Sequence, residues 1–202
     1  MKIKMKSNVC VISQGGLGLE NILLEVEKVT EYNGLQKKEA LRLRLLAEEL
    51  VGMLRGLVKN FEGRFWIQNN KDLYELHAEL SVENLSKDKK ESLIAVSANK
   101  KNAAASSFMG KIRDIAENML LFADDVNLGG GAGIDYLYDY NVVDANFTYV
   151  WTLEHYTKQQ EKSDEPNEVW DQLEKSIVAK LADDVIVGVR GKKVEIIIKK
   201  EF

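Results

Sequence analysis

The chain has 202 residues, 45% of them hydrophobic, with a formal net charge of −4 and a pI near 5.4. That apolar share is enough for a core, which excludes wholesale disorder. The acidic balance excludes a general nucleic-acid binder, whose surface carries a basic excess. The single cysteine, Cys10, has no internal partner for a disulfide, as expected of a reducing compartment. It lies in the apolar run Val9-Cys10-Val11-Ile12 and reads as a core thiol. No apolar run approaches the roughly 20 residues a membrane span needs. The basic start Met1-Lys2-Ile3-Lys4-Met5-Lys6 is not followed by the apolar segment of a signal peptide. The expected location is the cytoplasm, with no membrane partner.

Residues 2–13 alternate and then run apolar, which predicts a strand broken by Gly15-Gly16-Leu17-Gly18. Ile22, Leu23, Val26 and Val29 space a helix from Leu19 to about Tyr32, stopped by Asn33-Gly34. A long helix follows over about 36–59, with Leu43, Leu46, Ala47, Leu50, Leu54 and Leu57 in one stripe. Arg64 to Asn69 and Leu73 to Val82 read as strands joined by a turn. Ser86 is placed to cap a short helix ending near Val96. Ser97 to Ser107 is polar and small, a mobile loop leading into a helix from about Phe108 to Phe122. Gly129 to Gly133 is a flexible loop, and Phe147 to His155 reads as a strand. Lys158 to Asn167 is a charged surface loop holding the single proline, Pro166. A helix over about 167–181 precedes a closing hairpin, Val185 to Val189 and Val194 to Lys199. This order predicts an α+β fold, a two-layer sandwich of helices on a mixed, mostly antiparallel sheet. One domain spanning 1–202 is expected, with the last helix and hairpin as an elaboration.

Several motifs are weaker than they look. Gly16-Leu17-Gly18 sits where a phosphate-cradling turn would, but Asn21 stands where a dinucleotide fingerprint needs its third glycine. A plain strand-to-helix turn accounts for these glycines. Gly110-Lys111 has the look of the end of a P-loop, yet Ile112 replaces the metal-binding hydroxyl and Ala105 the leading glycine. His77 and His155 have no cysteine or acidic cluster at metal spacing, so no metal site is expected. No Gly-x-Ser-x-Gly elbow occurs.

The long second helix carries the informative constellation. Glu49 lies beside the apolar stripe, next to Leu46 and Met53, and Gly52 and Gly56 occupy the neighbouring strip. A glycine inside a helix costs roughly 1 kcal/mol relative to alanine. Two of them imply close approach, either by another element packing tightly or by a ligand lying beside the carboxylate.

The segment Ala40-Leu41-Arg42-Leu43-Arg44-Leu45-Leu46-Ala47-Glu48-Glu49-Leu50-Val51 resembles the motif helix of the anti-sigma-factor serine kinases. That family belongs to the superfamily of gyrase, histidine-kinase and mismatch-repair ATPases. Tyr32-Asn33-Gly34-Leu35 is similar to the link between the family's first two helices, and the likeness is best over about residues 18–80. The Phe108 to Glu117 helix would correspond to the one after the ATP lid, and the closing hairpin to the last strands. The chain also looks like bacterial proteins described as ATP-binding on the strength of this fold. The family helix carries Glu-x-x-x-Asn, whose Glu orients the attacking group and whose Asn holds Mg²⁺. Glu49 matches the first position, but Met53 stands at the second, and a thioether is a poor ligand for a hard cation. The stretch near Glu79 to Leu85 lacks the family's Asp-x-Gly-x-Gly box, and the later glycine box is reduced to Gly110.

With these departures, the resemblance implies a degenerate ATPase-fold regulatory or protein-interaction module rather than an active enzyme. ATP would bind weakly if at all, bordered by Glu49, Gly52 and Gly56. The 97–110 loop would be its lid, with Asn102, Lys100 and Lys101 supplying phosphate contacts and Gly110 and Lys111 also at the nucleotide. One alternative is an active ATP-binding serine/threonine protein kinase with Glu49 as catalytic base. Another is a structural homodimer without ligand, packed through Gly52 and Gly56. The expected partner is a protein or a second copy of the chain, not nucleic acid.

Overall fold

The computed structural model describes residues 5–13, 18–57, 62–81, 112, 115–116, 119–120, 149–160 and 176–202. The expected segments over 82–111 and 121–148, including the short helix from Ser86 and the two loops, lie outside them, as does 161–175.

Seven strands form one sheet among the described residues. β1 (Met5–Lys6) and β2 (Cys10–Ser13) both pair with β3 (Glu62–Asn70). The sheet continues through β4 (Leu73–Ser81), β7 (Lys193–Glu201) and β6 (Asp184–Arg190) to β5 (Tyr149–Thr152). Every pairing among the described strands is antiparallel. The helices are α1 (Leu19–Tyr32), α2 (Lys37–Leu57), α3 (Leu153–Gln160) and α4 (Ile177–Leu181). Helices with a mostly antiparallel sheet are the α+β class that the element order predicts.

Strand alternation sorts the sheet into two faces. Ile67, Leu76, Ile198 and Val185 stand opposite one another across four strands, and all are fully buried. They join a core with Ile22, Val26 and Val29 of α1 and Leu43, Leu46, Leu50 and Leu54 of α2. Ile112, Ala116, Met119 and Leu120 are helical and enter the same core at three- and four-residue spacing. The stripe on α2 is wider than its leucines alone suggest, because Val51 and Met53 are buried in it too.

Local chemistry sets the boundaries. The expected first strand is interrupted at Ser7, whose hydroxyl accepts from Ile67 N at 2.9 Å in place of a ladder carbonyl. Asn8, though exposed, then donates to Glu25, and pairing resumes at Cys10. α1 begins at Gly18, with φ 125°, where a Cβ would lie 2.6 Å from Val11 O. Only glycine lets the start of the helix approach the β2 backbone this closely. α1 stops as expected: Gly34 takes φ 68° and Leu35 N donates to Thr30 O at 3.0 Å. α2 then opens with Gln36 N donating to Glu39 Oε2 at 2.8 Å, one half of a capping box.

Two expectations near the C-terminus are corrected. The strand predicted to reach His155 ends at Thr152, and α3 occupies 153–160, including the start of the predicted charged loop. Thr152 Oγ1 accepts from His155 N at 3.1 Å, and Asp184 Oδ1 accepts from Glu154 N at 3.0 Å. Two of the first-turn donors are thereby satisfied, which favours helix over strand. The predicted helix over 167–181 does not run through Ser176, which is extended (φ −74°, ψ 134°). Ser176 instead caps α4, accepting from Ala179 N at 3.4 Å.

Candidate functional site

α2 is unbroken at Gly52 and places Glu49 and Gly52 on its exposed side. A Cβ on Gly52 would meet no described atom within 4 Å, so the close approach expected of this glycine is not made by the described residues. Gly56 lies in the last turn of the same helix. Lys100, Lys101, Asn102, Gly110 and Lys111 lie outside the described residues. Met53, one turn beyond Glu49, is only 7% exposed and packs in the core. Among the described residues no cluster of three or more His, Cys, Asp or Glu side chains is placed to hold a metal ion.

A second polar constellation lies on the sheet face opposite the helices. Trp66 and His77 are cross-strand partners there, and both are buried. Their rings stack at 4.9 Å with 9° between planes, and Lys6 Nζ sits 4.4 Å from the Trp66 ring. His77 Nδ1 lies 2.8 Å from Glu195 Oε1 on β7, a contact in which only the imidazole can donate. Its Nε2 is 3.8 Å from Glu75 Oε2, too far for a hydrogen bond. Trp66 Nε1 and His77 Nε2 are thus buried ring nitrogens with no hydrogen-bond partner among the described residues. Glu79 is flanked by Arg64 at 4.0 Å and Lys193 at 3.4 Å. His77 looks isolated in the sequence because Glu195 is 118 residues away. The alternation of β4 shows that His77 faces away from Leu76 and Ala78; the pairing of β4 with β7 is what supplies its partner.

A third group ties the link between β1 and β2 to α1. Glu25 is 8% exposed and accepts from Asn8 Nδ2 at 3.1 Å, Asn8 N at 3.3 Å and Lys28 Nζ at 2.7 Å. The Lys28 hydrogen bond holds its carboxyl below the usual range, with Asn8 adding and burial opposing. The nearby Cys10 thiol is pushed up, first by burial and then by the Glu25 charge, with Lys28 opposing. Cys10 is 8% exposed and packs in the core, and the upward shift acts against thiolate formation. At the other end of the sheet burial pushes the Asp184 carboxyl up, while the N–H groups of Glu154 and Val185 oppose the shift. Glu25 and Asp184 cap and staple secondary structure, and each is occupied by that task.

No protein-family model, curated protein or solved structure matches this chain.

Proposed function

We propose that this chain is a degenerate histidine-kinase-like ATPase module of the anti-sigma type, serving as a regulatory or protein-interaction domain rather than as a kinase. The supporting observation is the pairing of an exposed Glu49 with a buried Met53 one turn later. A helix that held Mg²⁺ on a triphosphate would present an oxygen ligand at the second position. Here that position is spent on core packing. Without the metal, Glu49 would repel the phosphates. Two like charges about 4 Å apart cost roughly 4 kcal/mol at an effective dielectric near 20, about three orders of magnitude in affinity.

The test is isothermal titration of the full chain with Mg-ATP. The expected result is weak or absent binding and no detectable hydrolysis. A low-micromolar Kd, abolished by Glu49→Ala or by chelating the metal, overturns the proposal in favour of an active kinase.

A further inference from the structure

No further inference is drawn: the strongest candidate, the Trp66–His77 stack with Glu195 and Glu75 on the sheet face opposite the helices, leaves two buried ring nitrogens with no hydrogen-bond partner among the described residues, but nothing in the structure shows what covers that face.

Discussion

Glu49 and Met53 are one turn apart on α2, yet Glu49 is exposed and Met53 is 7% exposed within the core. Four residues advance about 40° around a helix, so the edge of the buried stripe runs between them. Restoring an amide at the inner position should therefore harm packing more than it helps a ligand. Met53→Asn removes apolar contacts and buries a side chain with up to four hydrogen-bonding sites to satisfy. A loss of about 2–4 kcal/mol is expected in urea unfolding. Unchanged stability together with new Mg-ATP binding would show that position 53 can face a ligand after all.

Gly52 has the opposite character. It lies inside α2, is exposed, and no described atom lies within 4 Å of where a Cβ would go. Gly52→Ala should add about 1 kcal/mol through helix propensity alone. For a chain of this size that corresponds to a rise of about 2–4 °C in Tm. A fall in Tm would mean that another part of the protein approaches this strip.

The two tight hairpins make a matched pair. Asn70 pairs with Leu73 and Arg190 with Lys193, leaving two-residue turns. The first residue of each turn is left-handed: Lys71 at φ 61° and Gly191 at φ 59°. A lysine there carries a steric cost of about 1–2 kcal/mol that glycine avoids. Lys71→Gly is expected to stabilise and Gly191→Ala to destabilise, each by about 1 kcal/mol. A Cβ at 191 would touch no described atom within 4 Å, so the second effect is expected from conformation alone. Opposite signs in thermal unfolding support this; equal signs would mean that contacts, not φ, dominate the turns.

The helices and hairpins legible in the sequence are those specified locally. α1 and α2 follow from three- and four-residue apolar spacing and from Asn33-Gly34. β3–β4 and β6–β7 follow from apolar runs joined by short turns. What local pattern misses is supplied from far along the chain. α3 replaces the tail of a predicted strand, its first turn capped by Thr152 and also by Asp184, thirty residues on. The break in the first strand depends on Ser7 meeting Ile67. The candidate site is legible only in part: spacing puts Glu49 beside the stripe, but Met53 falls inside it because Val51 and Met53 widen the buried arc. His77 shows no role in sequence, since only the β4–β7 pairing brings Glu195 to it.

Glu25 gives an expected pH dependence with a definite sign. Its carboxyl is held low in the folded protein, chiefly by the Lys28 hydrogen bond and then by Asn8, against the opposing effect of burial. In the unfolded chain a glutamate titrates near 4.3. A folded pKa below the unfolded one stabilises the fold above the unfolded value, and that contribution disappears as pH falls through the folded value. Glu25→Gln should thus be less stable than the parent at neutral pH, with the gap narrowing below about pH 4. The same substitution removes the charge that helps raise the Cys10 thiol. Burial, the larger cause, remains, so Cys10 should gain only a little reactivity toward a thiol reagent in the native state. Urea unfolding of both proteins from about pH 3 to pH 7 reads the first effect, and native-state thiol labelling the second. A stability gap that stays constant with pH would show that Glu25 acts through packing and neutral hydrogen bonds, with its charge contributing nothing.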